Sequence, residues 1–167
     1  KGDFSATVIT EGNGQGDMYL IVDKDKQTQA LMFKSEKRRY EFVKFLVASF
    51  KKYEEWLEIA EKNNVDDLNK TIDMTSANDG VAFKYGEWHW TLRTPVVSRI
   101  YIKGGIKIFA LVIPKASSKS NQYIKSEGCV LQFTDKSQIE SLINLFSTGV
   151  IDLFIYTTNQ KENLFKS

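Results

Sequence analysis

The chain has 167 residues, of which 42% are hydrophobic, 13% aromatic and 26% charged, a balance that excludes a disordered chain and suits one compact domain. Its 23 basic and 21 acidic residues give a net charge of +2, too little for strong overall attraction to nucleic acid or anionic lipid. A single cysteine and a single histidine exclude an intrachain disulfide, a cysteine zinc site and most zinc enzymes. No stretch approaches the roughly 20 apolar residues of a membrane-spanning helix, so we expect no transmembrane segment.

The first residue is Lys1 rather than methionine. A chain that starts just past a secretory signal has this form, which slightly favours an exported or periplasmic protein. The lone Cys129 fits a reducing compartment and an export compartment equally well.

Period-two alternation and unbroken apolar runs predict strands along most of the chain. Glycines and Asn-Asp-Gly separate several of them, and Gly104-Gly105 predicts a tight hairpin turn. The predicted strands lie near residues 4–10, 18–22, 29–33, 71–75, 81–85, 88–92, 98–102, 106–113, 129–133 and 150–156.

Two helices are predicted, one long and one short. Ser35 is the expected N-cap of the long helix, and Asn63-Asn64 is its expected end. Asp135 and Gln138 form a capping box for the short helix, which Gly149 closes. The apolar face of the long helix consists of Phe42, Leu46, Phe50, Tyr53, Leu57 and Ala60.

The two junctions between strand and helix are alike at an offset of 100 residues. Leu31 matches Leu131, Phe33 matches Phe133, and the caps Ser35 and Asp135 correspond in the same way. A duplicated strand-strand-strand-helix unit, with halves 1–64 and 81–156 in a single domain, accounts for this, and so does chance similarity between apolar strands before capped helices. The predicted fold class is α+β, an antiparallel β-sheet covered by one long and one short helix.

Two halves of antiparallel strands with a helix resemble the PUR-type and Whirly-type proteins in element order. Those families bind single-stranded nucleic acid with duplicated units of four strands and a helix. The resemblance implies a sheet surface that binds single strands. The extra strands predicted between Thr71 and Leu92 depart from the family pattern, and fold similarity alone does not carry function.

Trp88-His89-Trp90 is the most unusual stretch of the sequence. Strand alternation places Trp88, Trp90 and Leu92 on one side and Glu87, His89, Thr91 and Arg93 on the other. We expect the indoles to face the core, because burying the charged row would desolvate groups without visible partners. Outward indoles would instead form a stacking surface for bases, sugars or an apolar partner.

The charges of the long helix oppose its dipole, with basic residues in the first turn and four glutamates near the end. Either neighbouring charges in the fold compensate them, or the helix ends meet charged partners. A serine-rich loop between Lys115 and Lys125 is similarly open to two interpretations, a phosphate contact or a solvated connection.

No catalytic, cofactor-binding or metal-binding residue is identified, and no nucleophile lies beside His89 in the sequence. The favoured function is a non-catalytic binding or structural module for an unknown protein or small-molecule partner. Single-stranded nucleic-acid binding is the alternative, and a small hydrolase is third. The candidate partner-binding residues are Lys37, Arg38, Arg39, Glu87, His89, Arg93, Arg99 and Lys103.

Overall fold

The computed structural model describes residues 3–11, 15–24, 27–92 and 94–146, with side chains described from residue 18 onward except at 24. Arg93, Gly149 and the strand expected at residues 150–156 lie outside the described residues.

The α+β class is confirmed, with one long helix, one short helix and antiparallel strands. In chain order the described elements are β1 Asp3–Glu11, β2 Gln15–Lys24, β3 Gln27–Phe33, α1 Glu36–Lys62, β4 Asp67–Asp73, β5 Gly80–Tyr85, β6 Glu87–Leu92, β7 Val97–Lys103, β8 Ile106–Ile113, β9 Cys129–Phe133 and α2 Lys136–Leu145. The strands form two sheets in the described part of the chain: a first sheet in the order β1-β2-β3-β5-β6 and a second in the order β4-β7-β8-β9.

The strand expected at residues 71–75 begins and ends earlier than predicted. β4 starts at Asp67, which pairs with Lys103 of β7, and its register shifts between Thr71 and Asp73. The Asp73 carboxylate accepts hydrogen bonds from the backbone N–H and the hydroxyl of Thr75, at 2.8 and 2.6 Å. This local turn ends the strand, because an aspartate side chain competes with the sheet for nearby backbone groups.

Both predicted helix starts are confirmed. The Ser35 hydroxyl accepts from the Arg38 N–H at 3.1 Å, and the Asp135 carboxylate accepts from the Ser137 N–H at 3.0 Å. The capping box differs in detail, because the Gln138 side chain accepts from the N–H of Thr134 rather than from that of Asp135. At the end of α1, Asn63 is the C-cap.

One apolar core joins the inner sides of both sheets to both helices. The Phe42 ring of α1 lies 4.9 Å from that of Phe33 on β3 and 5.2 Å from that of Phe146 after α2. Further along α1, the Tyr53 ring lies 5.5 Å from that of Phe109 on β8. Burial, together with the neighbouring Glu54 carboxylate, raises the pKa of Tyr53. The long helix is therefore the element through which the two sheets share a core.

The strand pairs that precede the two helices have matching registers. Leu20 lies opposite Leu31 in the first sheet, as Leu111 lies opposite Leu131 in the second. In the same way Phe33 pairs with Met18, while Phe133 pairs with Phe109. A common strand-helix junction gives this pattern with or without shared ancestry, so the duplication stays a prediction.

Candidate functional site

The side chains of β6 point the opposite way from our expectation. Trp88 is 44% exposed and Trp90 is 50% exposed, whereas His89 is only 6% exposed. The prediction that both indoles face the core and that His89 faces water is therefore wrong. Glu87, at the start of β6, is exposed as expected. The protein thus has two neighbouring tryptophans on an outward sheet surface.

The pairing of β6 with β5 explains this orientation. Val81 and Phe83 of β5 fill the core and are fully buried, and Phe83 lies directly opposite His89. Residues opposite one another in an antiparallel pair share a side of the sheet. The turn at Gly86, whose φ is 71°, fixes this register. His89 is consequently inward and its two neighbouring tryptophans are outward.

His89 has the polar partners that the sequence did not reveal. Its Nδ1 lies 3.1 Å from the Ser118 hydroxyl, and its Nε2 lies 3.3 Å from the Tyr85 carbonyl oxygen. The imidazole stacks on Phe83, with centroids 5.6 Å apart. The desolvation cost of burying the ring is therefore offset by two hydrogen bonds and an aromatic contact.

The two indoles belong to a larger apolar surface on the outside of the first sheet, which we call the tryptophan face. Strand registers align Ile21, Ala30, Ala82 and Trp90 in one row across four strands. The next row contains Tyr19, Met32, Gly80 and Leu92. Lys84 lies opposite Trp88 at one end of this surface. The tryptophan face consists of Tyr19, Ile21, Ala30, Met32, Gly80, Ala82, Lys84, Trp88, Trp90 and Leu92.

Small residues form the floor of the tryptophan face between β2 and β6. Ala30 and Ala82 pair directly across β3 and β5. At Gly80 a Cβ atom would lie 2.2 Å from the backbone oxygen of Thr91, so the position excludes any side chain. Ala30, Met32 and Ala82 are buried, at 1%, 7% and 6% exposure, with Tyr19 and Ile21 packed against them. The accessible apolar part of the tryptophan face is therefore Trp88, Trp90 and Leu92 on β6.

Arg99 and Lys103 lie elsewhere, on β7 of the second sheet. The Arg99 guanidinium donates to Asn69 Oδ1, at 2.7 Å from Nη2, and also to the Thr71 hydroxyl. Its centre lies 5.8 Å from the centroid of the Tyr101 ring. Neighbouring strands thus hold Arg99 in place on the outside of the second sheet.

The candidate residues in the basic first turn of α1 lie in a third place, away from β6 and β7. Arg38 lies 3.4 Å from the Asp79 carboxylate and 3.7 Å from that of Glu41. Asp79 also accepts from the Lys34 backbone N–H at 2.7 Å. Lys37 is largely exposed and lies 4.0 Å from Glu41. Neighbouring acids thus compensate part of the unfavourable charge at this helix end.

Arg38 and Arg39 are expected to respond differently to charge reversal. Arg38→Glu should leave the protein about 1 kcal/mol less stable than Arg39→Glu does, because both changes gain from the helix dipole but only Arg38→Glu breaks the pair with Asp79 and places two acids together. Arg39→Glu should leave stability unchanged or raise it by about 0.3–1 kcal/mol through the helix dipole. Thermal unfolding of the two variants checks this. Equal destabilisation by both would show that Arg39 is also held by a structural ion pair.

The sequence-predicted candidates therefore do not form one site. Glu87 and His89 lie on β6, Arg99 and Lys103 on the second sheet, and the basic cluster on α1. Sequence analysis missed Lys84 and the residues of β2 and β3 that complete the tryptophan face. The apolar runs of β2 and β3 predicted strands, but they did not show which side of each strand faces outward or that β3 pairs with β5.

The described residues contain no group of three histidine, cysteine, aspartate or glutamate side chains that could hold a metal ion. No helix within the same ranges is both long and apolar enough to cross a membrane. No family model matches the chain, and comparisons with curated proteins and with solved structures give no significant match. Function is therefore inferred from the surfaces of the protein themselves.

Proposed function

We propose that the protein binds single-stranded nucleic acid on the tryptophan face, with bases stacked on Trp88 and Trp90. The observation that carries this proposal is the outward orientation of both indoles, each about half exposed. Every base has a π-face, so exposed aromatic rings bind successive bases of a single strand with little sequence preference.

The spacing of the indoles supports stacking of successive bases. Trp88 and Trp90 are two residues apart on the same side of β6, which corresponds to about 6.8 Å along an antiparallel strand. Two bases of an extended single strand fit this separation when each is splayed from its neighbour. Leu92, two residues further along the same strand, is 40% exposed and extends the accessible apolar row.

The charge distribution favours local contacts over long-range attraction. The net charge is only +2, so phosphate binding depends on lysines placed beside the indoles. Lys84 is such a residue, because it is exposed and pairs with Trp88 across the sheet. We therefore expect moderate affinity that weakens as salt concentration rises.

The environment of His89 argues against the hydrolase alternative. The only histidine of the chain is buried, stacked on Phe83 and hydrogen-bonded to Ser118 and to the Tyr85 carbonyl. A general base must reach the proton that it removes from a substrate or nucleophile. An imidazole enclosed in this way acts as a structural residue.

Fluorescence anisotropy with labelled oligonucleotides of about 12 nucleotides, a length typical of one such binding surface, tests the proposal. At low salt, single strands should bind at least about tenfold more tightly than a duplex of the same sequence, because duplex bases are already stacked on each other. Equal binding to the duplex would contradict base stacking.

The favoured interpretation of the sequence, a module that binds another kind of partner, gives a different result in the same experiment. A protein or small-molecule partner on the tryptophan face predicts no binding of single strands even at low salt. That outcome would overturn the nucleic-acid proposal, since an exposed apolar sheet surface also suits a protein interface.

A further inference from the structure

The loop between β8 and β9 contacts β6, the last strand in the order of the first sheet. The Lys119 backbone N–H donates to the Trp90 carbonyl oxygen at 2.9 Å. Within the loop, Ser117 and Lys125 form an isolated antiparallel bridge, and the Ser118 N–H donates to the Ile124 carbonyl at 2.8 Å. A segment about 30 residues beyond β6 in the sequence is thereby attached to the strand that carries both indoles.

A chain of polar side chains, buried at His89 and Ser118 and exposed at Ser120, holds the same loop from the inner side. Ser118 is 5% exposed, and its hydroxyl lies 3.1 Å from His89 Nδ1 and 3.0 Å from the Ser120 hydroxyl. A hydroxyl both donates and accepts, so Ser118 can join the imidazole to Ser120 in one continuous set of hydrogen bonds. The contact between Ser118 and His89 is costly to break, because both side chains are buried and would lose a partner away from water.

These contacts determine where Lys119 lies. Ser118 points to the inner side of the first sheet, towards His89. Lys119 follows in a bend and is exposed, and its backbone N–H contacts the Trp90 carbonyl. Lys119 therefore lies beside Trp90 at the edge of the first sheet, while Lys84 lies opposite Trp88. The pair of indoles then has a lysine on each flank.

We propose that Lys119 and Lys84 bind the phosphodiester backbone of the strand whose bases stack on Trp88 and Trp90, and that His89 and Ser118 are the positioning residues for Lys119. This inference rests on the proposed function and adds to it a defined path for the ligand. The bases contact the indoles, and the phosphates pass the lysines on either side. Ligands without phosphates, such as neutral aromatic compounds, lack this second set of contacts.

The salt dependence of binding separates phosphate contacts from stacking. Lys119→Ala and Lys84→Ala should each weaken single-strand binding about threefold to tenfold and reduce the slope of log affinity against log salt by about 0.7, the value for one phosphate contact. Lys51→Ala, which removes an exposed lysine on the distant helix α1, should change neither. Unchanged slopes in both variants would overturn the assignment.

A double-mutant cycle tests the positioning role. Ser118→Ala should weaken binding about as much as Lys119→Ala, whereas the double variant should be no weaker than Lys119→Ala alone, because Ser118 acts through that lysine. Ser118→Thr, which keeps the hydroxyl, should restore binding. Additive losses, or a loss that follows reduced thermal stability without rescue by threonine, would show a merely structural role.

The two proposals fail in distinguishable ways. Absence of single-strand binding by the unaltered protein contradicts the proposed function and this inference together. Binding that depends on the indoles, with salt slopes unaffected by either lysine, contradicts only the inference.

Discussion

Replacing Phe42 with alanine is expected to lower the free energy of unfolding by about 3–5 kcal/mol. The ring is fully buried and lies 4.9 Å from that of Phe33, 5.6 Å from that of Phe45 and 5.2 Å from that of Phe146. Its removal leaves a cavity where α1 meets the first sheet and the end of α2, and the three neighbouring aromatic rings cannot all shift to fill it.

Chemical and thermal unfolding measure this effect. A loss of this size corresponds to roughly 10 °C in melting temperature for a chain of this length. Tyr40→Ala is the matched control on the same helix, because its ring is 64% exposed and should change stability by less than about 0.5 kcal/mol. Similar losses in both variants would contradict the described orientation of α1.

The double variant Trp88→Ala, Trp90→Ala is expected to weaken single-strand binding by at least about 2 kcal/mol, or about 30-fold. Each stacked base contributes about 1–3 kcal/mol by alanine substitution, and the two contributions need not add because the sites are neighbours. Stability should fall far less than in the Phe42 variant, since both indoles are about half exposed on a strand at the end of the described first sheet.

Anisotropy titration of this variant, beside the Tyr40→Ala control, measures the effect. Tyr40 is an exposed aromatic residue outside the tryptophan face, so its loss should leave affinity unchanged. Undiminished binding by the tryptophan variant would place the nucleic-acid site elsewhere, with the outer side of the second sheet around Arg99 and Tyr101 as the next surface to test.

Local sequence signals predicted most elements of the fold. The apolar run from Ile106 to Ile113 matches β8 at both ends, and Ser35 and Asp135 both cap helices as expected. A helix cap depends on hydrogen bonds between residues close in sequence, and a buried strand depends on the apolar side chains of one short segment. They need no information about which strands become neighbours.

The location of the candidate site depends on strand pairing and on contacts between residues far apart in sequence, which local signals do not contain. Alternation correctly grouped Trp88 with Trp90 and opposite His89, but it did not determine which group faces the core. Pairing of His89 with Phe83 and the hydroxyl of Ser118, 29 residues away, made the inward histidine favourable. Lys119 lies beside Trp90 because its backbone N–H donates a hydrogen bond to the Trp90 carbonyl oxygen. No periodic sequence pattern indicates this contact.

Quenching of tryptophan fluorescence by acrylamide tests the central claim most directly. Trp56→Phe leaves Trp88 and Trp90 as the only tryptophans of the chain, and both are expected to be strongly quenched in the free protein. Saturation with a single-stranded oligonucleotide should then protect them, because stacked bases cover the indole rings. Weak quenching in the free protein would show that the indoles are buried, and strong quenching that bound oligonucleotide does not reduce would show that they are exposed but do not bind bases.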